Sequence, residues 1–535
     1  MLVRRESRSI ATERAVASII KTALSAMLVL GALALAGYFS ITLVQQSRNW
    51  TSCINKVHAV TPDLAIAGCD AVVPSVILTS SYRAVAFIGR GNAFQDKNDN
   101  DHALADYNEA IRLNPKSDIA FFDRGIARRK LSGADAAIAD YNEAIRLNPT
   151  FAIAFINRGS AYRDTGDPER ALADFDEAIR LNPKLAIAFA ARGLVYQNSG
   201  DLERALADYN EAITLDPKQA AAHSNRGLVY ERKSDRENAI ADYSAAIDLD
   251  PKLTGALLNR GRLYHNKGEF DRAIADFDRA ISADPKSAIA LNSRGNAYRM
   301  KGELDHAIKD LDEAIRLDSK FARAFGNRAL VYRKLGDLDR AIEDLGSAIS
   351  LDPKLAAAFG ERGATYLLKG DPGSAIRDYN EAIRLGAKTS VVFFARGRAF
   401  HETGDLVRAT SDFDEAVRLD PSNTYSALWL YLAREHAGDR SAATELENNA
   451  KQLKQTDWPY PVVELYLGRR TPEATLAAPT KSDDRCEAQF YVGEWNLLEG
   501  NTSAAIESLK AAIDTCPKTF VEFMGARAEL KRLGQ

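Results

Sequence analysis

A period of 34 residues runs through most of the chain and leaves few folds open to it. The stretch 156–183, INRGSAYRDTGDPERALADFDEAIRLNP, is one copy of the repeating unit. Gly166 can end a first helix by adopting a positive φ, Asp167 can cap a second helix, and Asn182-Pro183 can end it. Because such a helical hairpin cannot bury its own apolar face, its copies must stack on one another. The chain is therefore predicted to be all-α.

The copies stay in phase along the chain. The same position holds a glycine in every copy except at Ala329: Gly91, Gly125, Gly159, Gly193, Gly227, Gly261, Gly295, Gly363 and Gly397. Ten in-phase copies, with small, aromatic and proline residues at fixed offsets, resemble the tetratricopeptide repeat (TPR). The resemblance implies a TPR superhelical solenoid of antiparallel helix hairpins that binds other proteins. We assign residues 84–421 to the regular repeats.

The segments that flank the regular repeats depart from the period. Residues 47–83 are predicted to form a degenerate N-terminal capping hairpin, 422–485 an atypical repeat and linker, and 486–535 a C-terminal TPR-like hairpin with a capping helix. The capping helix is predicted from Phe520 to Leu533, as an amphipathic helix that closes the solenoid. Its apolar side holds Phe520, Met524, Leu530 and Leu533, and its charged side holds Glu522, Arg527, Glu529, Lys531 and Arg532.

The N-terminus carries a membrane signal. Residues 1–21 form a basic leader. Residues 22–44 contain no charged side chain, and this uncharged stretch is long enough to span a bilayer. The basic flank predicts a cytoplasmic N-terminus, a single-pass helix in the bacterial inner membrane and a repeat domain in the periplasm. A cleaved signal sequence is the alternative, since residues 34–36, Ala-Leu-Ala, suit a cleavage site, and the product would then be soluble in the periplasm.

The four cysteines all lie outside the regular repeats. Cys53 and Cys69 occupy offsets that face each other in a TPR hairpin, and two small buried thiols are the alternative to a disulfide there. Cys486 begins the first helix of the last hairpin and Cys516 ends its second helix, and these ends meet in an antiparallel pair. Two disulfides are therefore predicted, which an exported location permits.

Two charged ladders follow the period. An arginine precedes the repeat glycine, and an aspartate precedes the second-helix aromatic or leucine residue, as in Arg158 with Asp174 and Arg192 with Asp208. A row of arginines for an anionic ligand is one interpretation. Because each arginine has an aspartate at a fixed offset within its own copy or the next, structural pairing is the favoured one.

No motif indicates catalysis. The seven histidines show no close ligand spacing, so no metal site is predicted. Phosphate-cradling loops and nucleophile elbows are also missing from the sequence, and no cofactor is predicted. The net charge of −3 gives no general attraction to nucleic acid. These observations favour a chain that is not an enzyme.

The remaining candidate is a partner-binding groove. In TPR proteins the concave groove is lined by first-helix residues, including those one, four and five positions after the repeat glycine. At these offsets the cations are Arg129, Lys130, Arg163, Arg232, Arg262, Arg299, Arg333, Lys334 and Arg398, and the anions are Asp96, Asp164, Glu231 and Glu402. The excess of five positive charges favours an acidic or carboxylate-bearing segment of another protein as ligand. A solvated face with incidental arginines is the alternative.

The tail carries a narrower resemblance. YSALWLYLA at 425–433, VVELYLG at 462–468, FYVGEWNLLEGN at 490–501 and FVEFMGARAELKRLGQ at 520–535 resemble the C-terminal half of the bacterial NlpI-type TPR lipoproteins. This resemblance implies an envelope adaptor that recruits peptidoglycan hydrolases or a periplasmic protease. The chain departs from that family in its membrane segment, which replaces a lipidated cysteine, and in its larger number of repeats.

Two other functions are compatible with the sequence. One is an assembly factor of a secretion or polysaccharide-export complex, and the other is a regulatory partner of a separate glycosyltransferase chain. A homodimer is also compatible, and the region around Trp429 and Trp458 is predicted to expose an apolar surface for such contacts.

Overall fold

The structure is a computed structural model that describes residues 45, 47–54, 60–74 and 78–535. Every regular element in these residues is a helix, as the period predicts. The basic leader 1–21 and the predicted membrane segment 22–44 lie outside the described residues. Among the described helices, none combines the length and the apolar character that a bilayer crossing requires.

The chain divides into two compact units, Met1–Ala256 and Leu257–Gln535. In the first unit, residues 47–54 are helical and eleven further helices follow. These are α1 (Pro62–Val72), α2 (Ser80–Asp96), α3 (Asn100–Leu113), α4 (Asp118–Ser132), α5 (Ala134–Leu147), α6 (Ala152–Asp164), α7 (Pro168–Leu181), α8 (Ala186–Asn198), α9 (Leu202–Leu215), α10 (Ala220–Arg232) and α11 (Arg236–Leu249). The boundary between the units falls within α12 (Thr254–Asn266).

The second unit contains the later repeats and the tail. Its repeat helices are α13 (Phe270–Ala283), α14 (Ala288–Lys301), α15 (Leu304–Leu317), α16 (Ala322–Lys334), α17 (Leu338–Leu351), α18 (Ala356–Lys369), α19 (Pro372–Arg384), α20 (Ser390–Glu402) and α21 (Leu406–Leu419). Its tail helices are α22 (Thr424–His436), α23 (Ala442–Ala450), α24 (Tyr460–Tyr466), α25 (Pro472–Ala477), α26 (Ser482–Leu498), α27 (Thr502–Thr515) and α28 (Val521–Arg532).

The hairpin of α6 and α7 follows the local signals of the sequence. Gly166 has a φ of +82°, which favours glycine, in the turn between the two helices. Asp167 caps α7 by accepting a hydrogen bond from the backbone N–H of Arg170 at 3.0 Å. Pro168 occupies the first turn of α7, where its missing N–H costs no helical hydrogen bond.

The repeat glycine lets the two helices of a hairpin approach closely. A Cβ at Gly159 would lie 2.9 Å from Cε1 of Phe175, which is fully buried in the second helix. The copy that replaces this glycine with Ala329 also replaces the facing ring with Leu345. A facing leucine is not sufficient for this exchange, because a Cβ at Gly295 would lie 2.9 Å from Cγ of Leu311.

The arginines and aspartates of the two ladders bind one another inside the fold. Arg192 donates from Nε and Nη2 to both carboxylate oxygens of Asp208, at 2.9 and 2.6 Å, and from Nη1 to Asp176 of the preceding second helix at 2.6 Å. Arg158 binds Asp174 in the same bidentate way, at 2.8 and 2.6 Å. Most of these arginines therefore tie a hairpin to the one before it, and because they are paired, the row is not available to a ligand.

All four cysteines form disulfides in the pairs Cys53–Cys69 and Cys486–Cys516. The first bond joins the helical segment 47–54 to α1, and its sulfurs pack in a small core with Ala86 of α2. The second bond joins the start of α26 to the end of α27, within the apolar core of the tail.

The tail is more tightly closed than the sequence indicates. Trp429 is 2% exposed, and the Trp458 indole donates a hydrogen bond to the Glu487 carboxylate at 2.7 Å. The prediction of an exposed apolar surface around Trp429 and Trp458 is wrong, because the helices after α23 fold back over α22 and cover it.

The predicted charged side of the last helix is also partly wrong. Met524 and Leu530 are buried as expected, but so are Glu522 and Glu529. The reason is that α28 has neighbours on more than one side. Tyr491 of α26 donates a hydrogen bond to Glu522 at 3.1 Å, which places a carboxylate in the interior.

Candidate partner-binding surface

The cations predicted for the groove all lie on first helices of the repeat hairpins. We call the side of these helices that carries them the first-helix face and describe it separately for each unit. In the first unit it is formed by α4, α6, α8 and α10, and in the second unit by α12, α14, α16, α18 and α20.

In the first unit most of the predicted cations bind acceptor groups of the same unit. Arg163 pairs with Asp164 at 2.7 Å, and Arg129 of the neighbouring first helix pairs with the same carboxylate. Desolvation acts to raise the pKa of Asp164, but hydrogen bonds from the two arginines outweigh it and leave that pKa below its usual value. Arg232 donates to the backbone carbonyl of Gln197 at 2.7 Å. Lys130 is exposed at the end of α4.

In the second unit the cations are less well compensated. Arg333 pairs with Glu361 at 2.6 Å, whereas Arg299 donates from Nε and Nη2 to the Asn296 side-chain oxygen at 3.1 and 2.8 Å. Desolvation lowers the pKa of the Arg299 guanidinium. The negative charge of Glu361 opposes this shift, and the positive charge of Arg333 adds to the shift. Arg333 contacts the Glu361 carboxylate, and Arg299 interacts with it only through its charge, so one carboxylate faces two guanidinium groups and leaves local positive charge that can accept an anion.

Carboxamide side chains extend this polar surface beyond what the sequence analysis identified. Asn327 of α16 donates to Asn292 of α14 at 2.8 Å, and Asn296 of α14 lies 3.1 Å from the His265 ring nitrogen of α12. A carboxamide offers both a donor and an acceptor, so such groups suit the backbone of an extended peptide. Their signal in the sequence was the recurrence of asparagine near the arginine ladder, which a search for charges passes over.

Two further predicted cations are exposed in the second unit. Arg262 lies on α12, and Lys334 lies in the last turn of α16. Together with Arg299 and Arg333 they place four cations on α12, α14 and α16, and we call these three helices the accessible face of the second unit.

Arg398 does not belong to this accessible face, and its prediction as a groove residue is wrong. The side chain is 5% exposed, its Nη2 lies 3.9 Å from the Met524 sulfur, and its guanidinium carbon lies 5.6 Å from the Trp429 ring centroid. The cause is α28, which packs over α20 and α22 from the tail of the same chain. Glu402, an anion counted at the groove offsets, lies beside it with 12% of its side chain exposed.

Models of known families match the repeats. Models described as TPR repeat match residues 91–132 and 198–234. Models described as tetratricopeptide repeat match residues 122–186, 220–253, 258–322, 322–355 and 365–424.

Several solved structures resemble the chain. A tetratricopeptide repeat protein from Parabacteroides merdae is 23% identical, with 46% of this chain and 97% of that chain covered and a TM-score of 0.39. YrrB, described as a TPR protein with an unusual peptide-binding site, is 26% identical over 34% of this chain and 95% of its own, with a TM-score of 0.30. A chain of the APC/C hetero-tetramer Cut9–Hcn1 is 14% identical, with 89% of this chain and 93% of that chain covered and a TM-score of 0.44.

Proposed function

The repeats of this chain are tetratricopeptide repeats, which generally serve as protein-interaction scaffolds. From this we propose that the chain is a non-catalytic adaptor of the bacterial cell envelope. The observation that carries the proposal is that Arg299 and Arg333 lie close to a single carboxylate, Glu361, which pairs with Arg333 and acts on Arg299 only through its charge. A binding surface with excess positive charge suits a partner with negative charge.

The ligand we propose is an acidic, extended segment of another protein. Its carboxylates would bind Arg299 and Arg333, and its backbone would bind the carboxamides of Asn292, Asn296 and Asn327. Arginine is well suited to this role because its planar guanidinium binds a carboxylate through two parallel hydrogen bonds. The accessible face stops where α28 covers α20, so the tail limits how far along the repeats a partner can bind.

The proposed location is the periplasmic side of the inner membrane, with residues 22–44 as the anchor. The absence of charge in these residues supports an anchor, and the pairing of all four cysteines supports an oxidising compartment. The likeness of the tail sequence to NlpI-type lipoproteins supports cell-wall hydrolases or a periplasmic protease as the recruited partners.

A crosslinking capture from bacterial envelopes tests the proposal. The bait is the full chain, and captured proteins are identified by mass spectrometry at low and at high salt. Capture of peptidoglycan hydrolases or of a periplasmic protease supports an envelope adaptor. Capture of transport or polymerase subunits alone contradicts it and favours an assembly factor.

Charge reversal on the accessible face tests the ligand class. We expect the double variant Arg299→Glu, Arg333→Glu to bind the captured partner about tenfold more weakly at low salt, because charge attraction becomes repulsion. The control is Arg180→Glu, Arg316→Glu, which makes the same charge change at exposed positions of second helices, where each arginine pairs only with a neighbouring glutamate. Equal loss in both variants, or none in either, contradicts binding at this face.

A further inference from the structure

Four titratable side chains from four different helices meet beneath α28. They are His401 at the end of α20, His436 at the end of α22, Glu494 of α26 and Glu529 of α28. Both histidines are largely buried, and both glutamates are buried. Because the four residues come from elements that are distant in sequence, only the folded tail brings them together.

The two imidazoles are spaced as ligands of one ion would be. Nε2 of His401 lies 3.1 Å from Nδ1 of His436, with the rings inclined by 34°. Two nitrogens bound to one tetrahedral zinc ion at about 2.0–2.1 Å lie roughly 3.3 Å apart. A carboxylate oxygen of Glu529 completes a set of three ligand atoms that all lie within 4.8 Å of one another. Arg532 binds Oε2 of Glu529 at 2.7 Å, which leaves Oε1 for another contact.

Glu494 supplies independent evidence for a ligand at this position. It is 1% exposed, and within the described residues neither of its carboxylate oxygens has a hydrogen-bond partner. Its Oε2 lies 3.4 Å from Nε2 of His436, the ring nitrogen that faces away from His401. Histidine ligands of metal ions commonly donate this second N–H to a carboxylate, which orients the ring.

Three of the four side chains, His401, Glu494 and Glu529, border a space of suitable size. A cavity of about 10 Å³ is lined by His401, Glu494 and Glu529, together with Trp429 and Phe490. This is room for about one water molecule or ion. Arg532 already pairs with Glu529, but a hydrogen bond between the two imidazoles alone would leave the buried Glu494 carboxyl group without a partner within the described residues, which is costly in an apolar surrounding.

We propose that this cluster binds one divalent transition-metal ion through His401 Nε2, His436 Nδ1 and Glu529, with Glu494 as the carboxylate that orients His436. Two imidazoles and a carboxylate form a ligand set typical of zinc, and zinc is the probe we choose. The ion would fasten α28 to α20 and α22. The site does not depend on the proposed partner surface.

Zinc titration of the metal-stripped full chain tests the site. The chain, kept in mild detergent, is treated with a chelator, dialysed and titrated with Zn²⁺ by calorimetry. We expect one equivalent to bind to the wild-type chain. His401→Gln and His436→Gln should each weaken binding at least about 100-fold, and Glu494→Gln about 10- to 100-fold. The matched control is His306→Gln, which removes an exposed histidine that contacts Glu303 at 3.0 Å and should leave binding unchanged.

Cobalt provides a second measurement that needs no variant. Co²⁺ bound at a tetrahedral site with nitrogen ligands absorbs visible light much more strongly than hydrated Co²⁺. We expect such a spectrum from the wild-type chain, and its displacement by Zn²⁺. A spectrum of hydrated Co²⁺, the absence of a stoichiometric zinc site, or zinc binding that survives in both His401→Gln and His436→Gln overturns the proposal. Should a histidine variant fail to fold by circular dichroism, the wild-type cobalt spectrum decides.

Discussion

At the scale of single residues, the tail is unusual for the carboxylates it buries. Glu522 is 1% exposed. Burial raises its pKa to about 7, and the negative charge of Glu487 adds to the shift, while a backbone hydrogen bond, the charge of Arg398 and the hydrogen bond from Tyr491 oppose it. A carboxyl group with a raised pKa binds its proton more tightly in the folded state than in the unfolded state. The stability of the tail should therefore depend on pH near neutrality.

The coupling between proton binding at Glu522 and folding gives a prediction for Glu522→Gln. The stabilising contribution of Glu522 is complete below the unfolded pKa, near 4.5, and is lost as the pH rises through about 7. A glutamine stays neutral, so the variant should match the wild type near pH 4 and exceed its free energy of unfolding by up to about 3 kcal/mol near pH 8. Urea unfolding followed by tryptophan fluorescence measures this, since Trp429, Trp458 and Trp495 all pack in the tail core.

Glu507→Gln is the matched control, because Glu507 is an exposed carboxylate on α27. It should shift stability little at either pH. A Glu522→Gln variant with the same pH dependence as the wild type would show that Glu522 does not titrate in the folded chain.

The repeat glycines give a second residue-scale prediction. A Cβ at Gly397 would lie 2.9 Å from Cε1 of Phe413, so Gly397→Ala should cost about 1–3 kcal/mol in unfolding free energy. The double variant Gly397→Ala, Phe413→Leu should lose less than the sum of its single variants, because the chain already combines Ala329 with Leu345 at the matching positions. Thermal unfolding of the three variants measures this coupling.

Gly360→Ala serves as the control for these variants. Gly360 lies inside α18, where an added Cβ meets no atom within 4 Å. Its replacement should be neutral or stabilise by up to about 1 kcal/mol, through helix propensity. Strictly additive effects of Gly397→Ala and Phe413→Leu would contradict the packing explanation.

At the scale of helices, the arginine ladder joins consecutive hairpins, and one step of it is incomplete. In most steps the Nη1 group of the arginine binds an asparagine or aspartate of the preceding second helix, as Arg328 binds Asp312 at 2.7 Å. Arg362 binds Asp378 with its Nε and Nη2, but the position that would meet its Nη1 holds Gly346. A Cβ at Gly346 would lie 3.8 Å from that Nη1.

The incomplete step predicts a stabilising substitution. Gly346→Asn should place a carboxamide oxygen beside Nη1 of Arg362 and join α17 to α18 by one more hydrogen bond. We expect a gain in unfolding free energy of about 1–2 kcal/mol, from helix propensity together with the new hydrogen bond. Gly346→Ala separates the two contributions, since it provides the propensity alone. Because asparagine has a lower helix propensity than alanine by about 0.5 kcal/mol, a Gly346→Asn variant that is less stable than Gly346→Ala by this amount in urea unfolding would mean that the new link does not form.

At the scale of the whole molecule, the regular repeats could be predicted in detail because each residue's surroundings recur. The period places the hairpins, the glycine contacts and the bidentate pairs such as Arg158 with Asp174, and it pairs Cys53 with Cys69. It also contains information that a search for short motifs misses. His401 and His436 lie 35 residues apart, and in a stacked repeat this distance makes them neighbours.

The tail could not be predicted in this way, because it leaves the period and folds back on the repeats. An amphipathic pattern assumes water on one side of a helix, and this assumption fails for α28, where Glu522 and Glu529 are covered by α26 and its neighbours. The burial of Arg398 has the same cause. Contacts between segments more than 100 residues apart, such as Arg398 with Met524, leave no local signal in the sequence.

The disulfides turn the location of the whole chain into a testable property. Disulfides persist in an oxidising compartment such as the periplasm and are rare in the bacterial cytoplasm. If residues 1–44 direct export, the full chain in bacterial cells should have no thiol that reacts with a maleimide, whereas a chain that lacks residues 1–44 should react at Cys53, Cys69, Cys486 and Cys516. Labelling after a rapid acid quench, read as a gel shift, measures this. Both chains should react at all four sites once they are reduced in denaturant. Reactive thiols in the full chain inside cells would contradict a periplasmic repeat domain, because a chain exported with its cysteines adjacent would oxidise.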